Sequence, residues 1–163
     1  MYYKKITSSL SNYEEIKTLY IQSFPENERQ PFDTLFTSKK IEGYAFYEKE
    51  TFYGLAIIAC ANQIAHIIYL CVKEEARNKG YGQMILKHIT KIKEGYPIIV
   101  DIEEVYDDNE IKKKRKCFYL KNGYYETSIR YTWQKERYEI LSTEKDFTRE
   151  DFIKFWDALG FIV

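Results

Sequence analysis

Apolar residues recur at helical spacing along the first part of the chain, at Tyr13, Ile16, Leu19, Tyr20 and Phe24, and stop at Pro25. That period predicts an amphipathic helix. Ser11, with Glu14 three residues on, predicts its capping box. Residues 24–32 hold two of the three prolines and read as a loop leading into a short helix over residues 32–38. From Gly43 to Val72 the texture changes to β-branched and aromatic runs, which predict strands near residues 44–47, 51–59 and 64–72. The polar breaks at Glu48-Lys49-Glu50 and Ala61-Asn62-Gln63 are short enough for an antiparallel meander.

After Val72 the period returns to that of a helix, with Tyr81, Met84, Ile85, Ile89 and Ile92 marking a helix to about Lys93 that Gly95 closes. Residues 97–102 form a short apolar run. Together with the preceding strand and helix it makes a crossover, which implies one parallel strand pair. A helix over residues 109–120 ends at Asn122-Gly123, and residues 124–134 and 137–141 read as a closing hairpin. The last helix starts at Thr148, places Phe152, Phe155, Trp156 and Leu159 on one stripe, and stops at Gly160. No repeat or linker interrupts the pattern, so residues 1–163 are expected to form a single domain of α+β, or mixed α/β, class.

Charge and composition narrow the function classes. The 25 Lys and Arg balance 25 Asp and Glu, which argues against nucleic acid or a membrane surface as partner. The run Lys112-Lys113-Lys114-Arg115-Lys116 follows Glu103, Glu104, Asp107, Asp108 and Glu110; it is expected to spread around a solvated helix, with one or two cations reaching a bound phosphate. Cys60, Cys71 and Cys117 cannot all pair and show no metal-ligand spacing, which fits a reducing compartment and no metal. Without an apolar leader or a run of bilayer length, a cytoplasmic location is expected. His66 and His88 read as packing or surface residues, and Cys71 as a small buried hydrophobe.

The most informative stretch runs from Val72 through Arg77-Asn78-Lys79 into Gly80-Tyr81-Gly82. It joins a buried strand to the first turn of a helix, whose free amides and dipole favour an anion. Gly80 and Gly82 let the backbone approach a phosphate, Asn78 tolerates the left-handed region, and Arg77 and Lys79 add positive charge. A diphosphate ligand is the inference. The absence of Gly-Lys-Ser/Thr argues against a nucleoside-triphosphate loop, and Ile85, standing where a third glycine would be, disfavours the common dinucleotide fingerprint. Alternatively the two glycines only shape the turn.

Arg77-Asn78-Lys79-Gly80-Tyr81-Gly82, separated from Val72 by four residues, resembles the Arg/Gln-x-x-Gly-x-Gly/Ala signature of the GNAT superfamily of N-acetyltransferases. Cys117-Phe118-Tyr119-Leu120-Lys121-Asn122-Gly123-Tyr124-Tyr125 resembles its Phe-Tyr-x-x-x-Gly-Phe segment, with Tyr124 in place of Phe. The resemblance covers roughly residues 43–134. It implies a mostly antiparallel twisted sheet with helices on both faces and one parallel pair that opens as the acetyl-CoA cleft. It further implies that the backbone of Leu70, Cys71 and Val72 binds the pantetheine arm, that amides from Arg77 to Gly82 hold the pyrophosphate, and that Tyr119 protonates the departing thiolate.

The acceptor amine must lose a proton before it attacks. Asp101 and Glu103 share one strand face and Glu104 the other; with Glu26 and Glu28 they are the candidate bases, and Glu103 is the one nominated. The resemblance also places the loop after the first helix at the acceptor site, which makes Glu26, Glu28 and Arg29 candidate substrate contacts. Where the family often carries Asn, seven residues before the tyrosine, this chain has Lys112. The expected activity is acetyl transfer to a primary amine of a small molecule or peptide. The alternative is a non-catalytic acyl-CoA-binding or protein-interaction module. Phe161-Ile162-Val163 suggests an apolar contact to a second copy, a homodimer.

Overall fold

The computed structural model describes residues 1–160; the proposed dimer contact at residues 161–163 lies outside them. Seven strands form one sheet in the order β1-β2-β3-β4-β5-β7-β6. They are β1 (Tyr2–Lys5), β2 (Ile41–Glu48), β3 (Thr51–Ala61), β4 (Ile64–Val72), β5 (Ile98–Glu103), β6 (Tyr125–Trp133) and β7 (Glu136–Ser142). The helices are α1 (Tyr13–Ser23), α2 (Phe32–Leu35), α3 (Tyr81–Ile92), α4 (Glu110–Lys121) and α5 (Arg149–Leu159). All strand pairs are antiparallel except β4 with β5, the pair that the crossover through α3 required.

Alternation along the central strands builds two cores. Ala45, Tyr47, Leu55, Ile57 and Ala59 face α1, α2 and α5, while Tyr44, Phe46, Ala56 and Ile58 face α3 and α4. The period of two thus places a helical layer on each side of the sheet. The α5 stripe behaves as its spacing requires: Phe152, Phe155 and Leu159 are buried. Thr148 accepts from the Asp151 amide and Asp151 reaches back to the Thr148 amide, completing a capping box.

The capping box expected at Ser11 does not form. The N-cap is Asn12, whose side-chain oxygen instead accepts from the Tyr47 hydroxyl at 2.9 Å, tying the start of α1 to the sheet. The N-terminal strand was not predicted, because all four of its residues are exposed and carry no alternation. Its tyrosines fold onto β2 as ring pairs, Tyr2 with Tyr47 and Tyr3 with Tyr44. The helix expected over residues 32–38 is shorter, ending at Leu35.

Candidate active site

Two irregularities in β4 open a cleft. The β4–β5 pairing covers Ala65 to Ile67 against Ile98 to Val100 and then stops, although both strands continue. On the other side, Ile57 of β3 pairs with Tyr69 and Ile58 with Ile67, so Ile68 is an extra residue. This bulge puts Ile68 and Tyr69 on the same face. Beyond it, the β4 edge facing β5 from Ile68 to Val72 has backbone groups without a strand partner, which suits the addition of an extended ligand arm. Leu70 lines the cleft, while Cys71 and Val72 are half-buried and pair with β3. Burial pushes the Cys71 thiol up to about 11, so it is no nucleophile at neutral pH.

At the end of β4 the chain turns through a short 3₁₀ segment, Glu74–Ala76, into α3. Asn78 has φ 62° and Gly80, the N-cap, has φ 84° with no side-chain cap. The first amide paired back to the cap is that of Met84, to Gly80 O at 3.1 Å. The amides of Tyr81, Gly82 and Gln83 therefore point out of the helix end without intrahelical partners. Arg77 and Lys79 are exposed beside them, and Arg77 Nε also donates to the Val72 carbonyl at 3.2 Å, fixing the turn to β4. A Cβ at Gly82 would stand 3.0 Å from Phe118 of α4, so that glycine sets the spacing of α3 and α4. The Tyr81 side chain is taken up elsewhere, stacked on Tyr53 and donating to Glu48 at 2.6 Å. These residues suit a diphosphate joined to an extended arm.

Gly54 of β3 bears on the same strand. A Cβ there would lie 2.7 Å from the Cys71 carbonyl, a backbone atom that cannot rotate away. Gly54→Ala is expected to cost about 1–3 kcal/mol of stability and to weaken acetyl-CoA binding, read as a lower urea midpoint and a raised Kd. Unchanged values for both would mean that β4 tolerates displacement.

The cleft has a volume of about 790 Å³. Tyr119 of α4 lines it at 6 % exposure, its ring held edge-on against Phe118 and Tyr124. Burial chiefly, and the Asp101 charge secondarily, raise its pKa, while Arg115 opposes them. Among the described residues its hydroxyl has no hydrogen-bond partner, so it is free to donate into the cleft.

Asp101 and Glu103 both line the cleft, as strand alternation requires. Glu103 stands at the outer end, 30 % exposed and 3.6 Å from Lys112 Nζ. Asp101 lies deeper, accepting from His66 Nε2 at 3.1 Å and from the Tyr131 hydroxyl. Burial works to raise the Asp101 pKa, but the His66 charge and the two hydrogen bonds outweigh it and hold the carboxyl below its usual range. Glu104 turns away, paired with Arg130 at 3.0 Å and Arg137 at 2.8 Å. His66, read from sequence as a packing residue, is indeed buried at 2 % exposure and packs edge-on against Phe155. Its link to Asp101 was not visible, because the two residues meet only through the β4–β5 register.

Of the three loop candidates, Glu28 lines the cleft, whereas Glu26 and Arg29 do not. Arg29 Nη1 donates to the Phe24 carbonyl at 3.0 Å, and the Glu28 carbonyl accepts from Tyr69 at 3.1 Å, so both brace the loop. Burial, then repulsion from Glu103, raises the Glu28 pKa. The basic run is less uniform than expected. Lys112 is buried between Glu103 and Glu136, Lys116 pairs with Glu126 and Glu139, and Arg115 lines the cleft.

Among the described residues, no helix is long and apolar enough to cross a membrane, and no cluster of three or more His, Cys, Asp or Glu could hold a metal ion. No curated protein matches the chain. Residues 34–126 match the family model described as "Acetyltransferase (GNAT) domain". Among solved structures, a GNAT-family protein from Bacteroides thetaiotaomicron is similar at 19 % identity and TM-score 0.78, covering 94 % of this chain and 92 % of that one. A spermidine N-acetyltransferase from Vibrio cholerae is similar at 10 % identity and TM-score 0.68, covering 89 % and 95 %. A Bacillus subtilis acetyltransferase in complex with CoA is similar at 13 % identity and TM-score 0.63, covering 87 % and 97 %.

Proposed function

From the premise that the chain belongs to the GNAT acetyltransferase family, we propose that residues 1–163 act as one N-acetyltransferase domain that moves an acetyl group from acetyl-CoA to a primary amine. The observation that carries this reading is the β4–β5 splay with Tyr119 beside it and free amides at the start of α3. The free amides at Tyr81 and Gly82 in the turn of residues 77–82 hold the pyrophosphate with help from the side chains of Arg77 and Lys79, and the backbone of Leu70, Cys71 and Val72 pairs with the pantetheine arm. Acetyl-CoA supplies an activated acyl group.

The chain's own groups then move two protons. Glu103, open to solvent at the outer end of β5, takes the proton from the acceptor ammonium and passes it to water. Glu28 beside it frames the incoming amine, in a loop that Arg29 braces through the Phe24 carbonyl. Asp101 is the poorer base: its depressed pKa lowers its proton affinity and both oxygens already accept hydrogen bonds. The amine nitrogen bonds to the acyl carbon, the carbon–sulfur bond breaks, Tyr119 gives its proton to the leaving sulfur, and the proton then shed by the new amide nitrogen restores the phenol.

Two measurements test the proposal. Acetyl-CoA at about 100 times its Kd is expected to add about 2.7 kcal/mol of stability, a rise in Tm of roughly 5–10 °C for a chain of this size. No shift at millimolar ligand would remove the cofactor assignment. Release of CoA, followed with a thiol reagent across a panel of amines, separates an enzyme from an acyl-CoA-binding module, which would bind without release.

A further inference from the structure

Resting on the acetyltransferase reading, we infer that the acceptor amine is carried on an aromatic or similarly bulky apolar body, which lies against the rings of β6, β7 and α5. The cleft beyond the β4–β5 splay is walled by a continuous series of rings. Tyr138 stacks on Tyr131 with centroids 5.3 Å apart, and Tyr131 on Phe152 at 6.1 Å. Phe152 meets Trp156 edge-on at 6.0 Å. Trp156 in turn meets His66 at 6.1 Å, and His66 holds Asp101. Phe24 and Tyr69, packed 4.8 Å apart, also line the cleft. The foot of the wall carries a carboxylate at 25 % exposure whose two partners are an imidazole and a phenol.

A hydroxyl-rich aminosugar would set its donors and acceptors against ring faces and leave them unpaired, which is costly. An aryl or bulky alkyl body buries apolar area there, and its ammonium can also lie over a ring face.

The test compares 2-phenylethylamine, n-butylamine, spermidine and an aminoglycoside, with initial CoA release and quenching of tryptophan fluorescence in the CoA-bound protein measured in parallel. The expected result is a kcat/KM for 2-phenylethylamine at least tenfold above that of n-butylamine and above those of both polycations. Equal or faster turnover of spermidine or the aminoglycoside overturns this inference and leaves acetyl transfer standing. Saturable quenching by 2-phenylethylamine with no CoA release from any amine sinks the acetyltransferase reading and keeps the pocket assignment. No quenching and no release overturns the pocket assignment itself.

Discussion

Tyr119→Phe is expected to lower kcat about 100-fold or more while acetyl-CoA affinity stays within about twofold, because the substitution deletes a proton and almost nothing else. General acid catalysis by a positioned side chain is worth roughly 10²–10⁴ in rate. The ring is 6 % exposed and keeps its contacts with Phe118 and Tyr124 in the variant. The hydroxyl has no partner to abandon, so stability should move by less than about 0.5 kcal/mol. Burial holds the phenol protonated throughout the neutral range, the state an acid needs, and the same dry surroundings raise the proton affinity of a thiolate leaving beside it. Single-turnover kinetics is the deciding measurement, since slow product release could mask a chemical defect in kcat. An unchanged single-turnover rate would remove Tyr119 as the acid and leave it a wall residue of the cleft.

The parts of this site that could be read from sequence are those whose chemistry is local in the chain. The turn at residues 77–82 announces itself because free amides, left-handed positions and two cations fall within six consecutive residues. The parallel pair is legible from a strand-helix-strand run, and Tyr119 through the resemblance of residues 117–125 to the family's Phe-Tyr-x-x-x-Gly-Phe segment. What escaped depends on partners far away in sequence. The start of α1 is set by Tyr47, thirty-five residues on. The bulge at Ile68 leaves an apolar run apolar, so no period reveals it. Asp101, His66 and Tyr131 converge from three strands, and only register aligns them. The basic run did contain a usable signal: Lys112, Arg115, Lys116 and Tyr119 stand at i, i+3, i+4 and i+7 and share a face of α4, which in the fold turns inward to Glu103, the cleft and Glu139.

Phe155→Ala should be the most destabilising single truncation near the site, at about 3–5 kcal/mol. Phe155 is fully buried, at 0 % exposure, and its ring fills the space between α5 and β4, edge-on to His66 at 5.6 Å and to Trp156 at 5.8 Å. Removing it forfeits the transfer free energy of the ring and leaves a cavity that α5, pinned at its start by the Thr148 capping box, can close only in part. With a urea dependence of about 1–3 kcal/mol per molar, the midpoint should fall by more than 1 M. Phe155→Leu keeps most of the volume and should cost under about 1.5 kcal/mol, so the pair of variants separates packing from any specific ring contact. If packing alone matters, Phe155→Leu retains both stability and amine turnover. If the edge-on contact with His66 orients the imidazole on Asp101, Phe155→Leu remains folded but raises KM for the amine, with the acetyl-CoA Kd unmoved, because Phe155 packs behind His66, which lines the acceptor half of the cleft, and not against the turn at residues 77–82. A rise in the acetyl-CoA Kd in that variant would contradict this division of the cleft into two halves.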